Sequence, residues 1–129
     1  MDQRTVETPD PLTGRIVACA MKVHTSLGAG LLEGVYELCL ARELAKSGLA
    51  AERQLPLPVR YDGEILDAGY RIDLLVERAI IVEVKSVEKL MPLHTAQLLT
   101  YLRLAGLKTG LLINFNVAHL REGIRRVSN

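Results

Sequence analysis

The chain has no tryptophan, one phenylalanine and four tyrosines, so aromatics make up 4% of its 129 residues. An aromatic platform for stacking unpaired bases is therefore not expected, and the core must be built from Leu, Val, Ile and Ala. Only two cysteines occur, Cys19 and Cys39, with no CxxC pair and no matched Cys/His cluster. That argues against a zinc site and a disulfide scaffold, and reads both as small buried thiols. Neither sign of charge dominates, with 16 Lys and Arg against 15 Asp and Glu. No global basic field exists, so any contact with nucleic acid must be local. The longest apolar runs, such as Ala79-Ile80-Ile81-Val82, are far too short to span a bilayer. The polar start MDQRTVETPD lacks an apolar stretch behind a basic one. A soluble, cytoplasmic protein without a membrane partner is the expectation.

What is there is core-forming. Hydrophobic residues make up 49% and charged residues 24%, and the length suits one domain. Residues 1–11, with Pro9 and Pro11, read as a flexible arm, and residues 12–129 as a single domain. From Leu12 a helical period sets in, with Ile16, Val17, Ala20, Val23 and Leu27 on one stripe. Gly28-Ala29-Gly30 breaks it. A second helix is expected over 31–47, with Leu32, Val35, Cys39 and Leu40 inward and Gly48 at its end.

The period then becomes two. Residues 55–61 read as one strand that Pro56 and Pro58 demote to an edge. Asp62-Gly63 is a hairpin turn signal, and a strand from Glu64 follows, with Gly69 as a bulge before residues 70–76. Residues 79–85 form the next strand, 93–105 a third helix capped by Gly106, 110–115 a buried-type strand and 124–127 a short last strand. The order suggests a mixed sheet flanked by helices.

A three-residue loop at 77–79 would pair Val76 with Ile80, Asp73 with Glu83 and Arg71 with Lys85. Alternation then gives one apolar face, Ile72, Leu74, Val76, Ile80, Val82 and Val84, and an opposite face of Arg71, Asp73, Leu75, Ile81, Glu83 and Lys85. Two carboxylates facing one another repel. A divalent cation would remove the repulsion, and Mg²⁺ prefers such oxygen ligands. Lys85 would stand beside it, placed to orient or help deprotonate a water or to neutralise charge on a phosphate. The same spacing also fits a solvated lattice of diagonal ion pairs, Arg71 with Glu83 and Asp73 with Lys85, and it leaves both readings open.

In the third helix, His94, Gln97 and Tyr101 share a stripe, which would line a site or mark the border between core and solvent. His94 and His24 suit surface positions. Glu33, in the first turn of the second helix, suits the helix dipole or a third carboxylate aimed at the ion. Gly28-Ala29-Gly30-Leu31-Leu32-Glu33 fails as a dinucleotide fingerprint, because Glu33 stands where a glycine is required and a helix precedes it. Arg121, Arg125 and Arg126 form a small basic cluster near the C-terminus.

The segment from Val23 to Tyr36, carrying Gly30, Glu33 and Tyr36, resembles the signature of the GxxExxY protein family. Asp73-Leu74-Leu75-Val76, Val82-Glu83-Val84-Lys85, residues 96–102 and residues 110–115 resemble that family as well. The resemblance covers nearly the whole chain after Leu12, and it places the chain near the PD-(D/E)xK nuclease-like superfamily. It implies an α/β (α+β) fold: a restriction-endonuclease-like core of αβββαβ order with an extra N-terminal helix. It also implies that Asp73, Glu83 and the Val84 carbonyl ligate Mg²⁺ or Mn²⁺, with Glu33 as the helix acid, Lys85 as the motif lysine and Gln97 as the polar residue of the later helix. Tyr36, Tyr101 and His94 would line the site. Ile72 stands where the motif has proline.

The expectation is a metal-dependent nuclease acting on DNA or RNA. The rival is a catalytically silent module of the same fold that binds nucleic acid or a protein. A homodimer, through the strand at 55–61 and the apolar helices, would supply the surface that a small nuclease needs.

Overall fold

Asp10 and Pro11 open the first helix of the computed structural model, which describes residues 10–129. Oδ1 of Asp10 accepts the Thr13 N–H at 2.8 Å, Oδ2 accepts the Thr13 hydroxyl at 2.9 Å, and Pro11 takes the first helical position. Asp10 and Pro11, expected within the arm, belong to the helix, and the rest of the expected arm, residues 1–9, lies outside the described residues.

The elements run α1 (Pro11–Leu27), α2 (Glu33–Lys46), β1 (Ala51–Pro56), β2 (Val59–Tyr61), β3 (Glu64–Leu66), β4 (Arg71–Val76), β5 (Ile80–Lys85), α3 (Pro92–Ala105), β6 (Thr109–Asn114), a short 3-10 helix (Leu120–Gly123) and β7 (Ile124–Ser128). Five strands form one sheet in the order β1-β4-β5-β6-β7. β5 and β6 are parallel, joined through α3, and the other neighbours are antiparallel. The fold is mixed α+β with helices flanking the sheet, as expected for a restriction-endonuclease-like core.

The sheet is covered on both faces. On one, Ile16, Ala20 and Val23 of α1 and Tyr36, Leu40 and Leu44 of α2 meet Leu74, Val76, Val82, Val84, Leu111 and Ile113. On the other, Leu98, Tyr101 and Leu102 of α3 meet Leu75, Ile81 and Leu112. A side chain at Gly110 would press on Leu98, so this glycine lets α3 lie close to β6. Gly106, left-handed at φ 71°, caps α3.

Four expectations are corrected. The strand expected at 55–61 is two. β1 begins at Ala51 and ends at Pro56, and the Pro56-Leu57-Pro58 segment, with fixed φ and no proline N–H, hands over to β2 in a separate hairpin with β3. Gly69 lies in the connection between β3 and β4 rather than in a strand bulge; its N–H is bonded to Asp67. In α2 the inward stripe is Tyr36, Leu40 and Leu44, whereas Leu32 is 79% exposed and Val35 40%. Lastly, Ile72 packs with Leu75 and Ile81, against strict alternation. β4 changes face at Asp73, where neither neighbouring strand pairs with it: the bridges to β1 skip Gln54 and Asp73, and those to β5 end at Leu74↔Val82.

Candidate metal centre

Val76↔Ile80, Leu75↔Ile81 and Leu74↔Val82 carry the expected hairpin register to the point where Asp73 would face Glu83. There the backbones part, and the two acids take over the pairing. Oε2 of Glu83 accepts the Asp73 N–H at 3.0 Å, and Oδ2 of Asp73 accepts the Val84 N–H at 2.9 Å. Each acid therefore holds an amide on the opposite strand, and both carboxylates are confined to the same gap. Neither of the diagonal ion pairs that the spacing also allowed, Arg71 with Glu83 or Asp73 with Lys85, forms among the described residues.

The gap is largely buried and negative. Burial pushes the Glu83 carboxyl up from an ordinary 4.5 to about 8, helped by the charge of Asp73 and opposed by the Asp73 N–H and Lys85. Asp73 is also raised, first by burial and then by the charges of Glu37 and Glu33, against the Val84 N–H and Lys85. The Tyr101 phenol is raised as well, by burial and by the nearby Glu83, Tyr70 and Asp73. Lys85, half-buried at the end of β5, is close enough to both acids to ease their ionisation.

Backbone geometry supplies a further oxygen. The Phe115 N–H donates to the Lys85 carbonyl at 2.9 Å, so alternate residues of β5 bond toward β6. Val84, one residue earlier, then turns its N–H and C=O toward β4. Its N–H meets Asp73, and its carbonyl faces the gap where the ladder has ended.

The other sequence-selected residues divide. Tyr101 is buried on α3 beside Tyr70, with ring centroids 5.9 Å apart, and lies within the field of Glu83. Gln97 stands one turn earlier on the same stripe, exposed, and no hydrogen bond ties it to the acids. Glu33 is exposed at the start of α2, near enough for its charge to act on Asp73. His94 bonds back to the helix start: its Nδ1 accepts the Met91 N–H at 2.9 Å and caps α3. Tyr36 makes its own bonds elsewhere. It is fully buried, stacks on Phe115 at 4.6 Å, donates its hydroxyl proton to the Gly28 carbonyl at 2.6 Å and accepts the Leu31 N–H at 3.1 Å. Those bonds fix the loop that delivers Glu33. The same loop is tied to the far end of β5, where the Ser86 hydroxyl donates to the Leu31 carbonyl at 2.6 Å. His24, expected at the surface, is partly buried and bonds through Nε2 to the Val117 carbonyl at 2.8 Å.

Three residues were missed. Glu37 is only 6% exposed and is held by Arg53 at 2.9 Å and by Gln54. Its position four residues after Glu33, on the same helical face, was the available signal. Gln54 itself gave none. Asn114, 2% exposed, bonds both Val87 N–H and Val87 C=O at 3.0 Å and so pins the chain just after Lys85.

Among the described residues no three His, Cys, Asp or Glu side chains are grouped to hold an ion. Two carboxylates and a carbonyl are nonetheless a fitting donor set for Mg²⁺, which keeps several waters and needs only one or two protein carboxylates. No described helix is long and apolar enough to cross a membrane. The family model of the PD-(D/E)XK nuclease superfamily matches residues 10–127. No curated protein and no solved structure matches the chain.

Proposed function

We propose that this chain, which belongs to the PD-(D/E)XK nuclease superfamily, is a divalent-metal-dependent phosphodiesterase that cleaves DNA or RNA in the cytoplasm. The observation that carries this reading is the parting of β4 and β5 at Asp73 and Glu83, which confines two carboxylates and the Val84 carbonyl to one gap beside Lys85. An excess of buried carboxylate over cation is costly unless an ion balances it.

Asp73, Glu83 and the Val84 carbonyl would hold Mg²⁺ or Mn²⁺, with Glu33 as a nearby fourth oxygen donor. The ion supplies a Lewis acid for the phosphoryl oxygens and lowers the pKa of water. Lys85 brings the ammonium that balances phosphate charge or orients the attacking water. Tyr101 walls the gap from the α3 side, and Gln97 offers an exposed amide to the substrate. Tyr61, Ile65 and Leu66, exposed on the β2–β3 hairpin, support a homodimer, which light scattering tests.

The deciding experiment is cleavage of a panel of single- and double-stranded DNA and RNA with Mg²⁺, with Mn²⁺ and with EDTA. Metal-dependent cleavage abolished by Asp73→Ala and by Lys85→Ala is the expected result. Cleavage that survives both substitutions refutes the assignment. A chain that neither cleaves nor gives heat on Mn²⁺ titration is the silent binding module.

A further inference from the structure

Gln54 lies inside β1 with φ 53°, a left-handed conformation uncommon outside glycine. The bridges Arg53↔Leu74 and Leu55↔Ile72 pass over it and over Asp73 opposite. Such conformations persist only where the surroundings over-determine them, and they cluster at functional sites. Here the side-chain amide does so. Nε2 donates to Oε1 and Oε2 of Glu37 at 2.9 and 3.0 Å, and reaches Oδ1 of Asp73 at 3.4 Å. Glu37 is gripped from its other side by Arg53, with Nη2 at 2.9 Å and Nε at 3.2 Å. The second oxygen of Asp73 is already taken by the Val84 N–H. An unbroken chain, Arg53–Glu37–Gln54–Asp73–Val84, therefore links α2, β1, β4 and β5.

We infer that Gln54 is a positioning residue: its left-handed backbone aims one amide nitrogen at both Glu37 and Asp73, and this brace orients the Asp73 carboxylate toward a divalent cation. The inference rests on the metal reading proposed above. Glu37 and Asp73 are like-charged, so without a donor between them Oδ1 of Asp73 would turn from Glu37 about the oxygen that the Val84 N–H holds. With the amide in place, one N–H serves each acid, and Arg53 balances the charge of Glu37 from behind. Partners that orient a metal ligand without touching the metal commonly govern affinity as strongly as some ligands do.

The test uses the full chain and Mn²⁺ alone, followed by calorimetry and by the electron paramagnetic resonance of bound Mn²⁺. Gln54→Gly removes the amide and also the steric objection to positive φ, so relief of the backbone offsets part of the stability lost with the Glu37 bonds. Gln54→Met removes the amide and keeps the volume. Both should weaken Mn²⁺ binding about tenfold and broaden or shift the bound-ion signal. A purely structural role for Gln54 would leave the glycine variant's Mn²⁺ affinity untouched. The inference is overturned if both variants bind Mn²⁺ within about twofold of the parent while Asp73→Ala does not. If the parent takes up no Mn²⁺, or Asp73→Ala binds as the parent does, the metal reading falls and this inference with it. Should the glycine variant not fold, the methionine variant decides.

Discussion

Glu83→Gln should make the protein more stable and inactive at once. The carboxyl titrates near 8 in the folded chain because burial and Asp73 oppose its charge, against an ordinary 4.5. Between those values the folded state holds a proton that the unfolded state has released. Its contribution to stability is therefore complete below pH 4.5 and is lost as pH rises toward 8. Integrating that difference gives a cost of about 1 kcal/mol at about pH 5.5 and up to about 3 kcal/mol at about pH 7. Glutamine keeps the shape, never ionises, and offers Oε1 to the Asp73 N–H in place of the carboxylate. Urea melts of both proteins without divalent ions, run from acid to neutral pH, should show the variant gaining on the parent as pH rises. Mn²⁺ should stabilise the parent and not the variant. A stability difference that is flat with pH, or a variant less stable than the parent at neutral pH, would refute the account of a desolvated acid kept at a cost in stability for its function.

Two further outcomes follow from bonds that hold the site's frame. Tyr36→Phe keeps the stack on Phe115 but strands the Gly28 carbonyl and the Leu31 N–H, and should cost about 1–3 kcal/mol in a denaturant melt; a melt identical to the parent's would show that the hydroxyl does not hold the loop before Glu33. Asn114→Ala unties Val87 from β6 and should cost about 2 kcal/mol or more, with faster hydrogen exchange in the segment after Lys85. Unchanged exchange there would show that the segment is held by something else.

The sequence spelled out the parts of the fold whose pattern is local. The period of two on β4 and β5 was enough to align Asp73 with Glu83, because burial of Leu74, Val76, Ile80 and Val82 excludes a one-residue slip and the short loop sets the rest of the register. Gly106 and Gly48 marked helix ends for conformational reasons that need no tertiary context. Illegible features depended on partners distant in sequence. Ile72 changes face because Gln54 is left-handed and Asp73 bonds through its side chain, and neither is visible in a hydropathy pattern. Glu37 looks like an ordinary helix-surface acid until Arg53 and Gln54 from β1 cover it. His94 and Gln97 share a stripe with Tyr101, but only the tertiary structure shows that Tyr101 lies in the field of the acids and that His94 bonds back to the helix start.

The borders of the five-stranded sheet have a consequence for solution behaviour. β7 carries outward Arg125 and Arg126, and β1 carries Glu52 and Arg53 and stops at Pro56. Unsatisfied strand edges invite other chains to add on, and charge and proline there discourage it. The sheet should therefore not extend edge to edge into fibrils at high concentration, even though its interior strands are rich in Leu, Ile and Val.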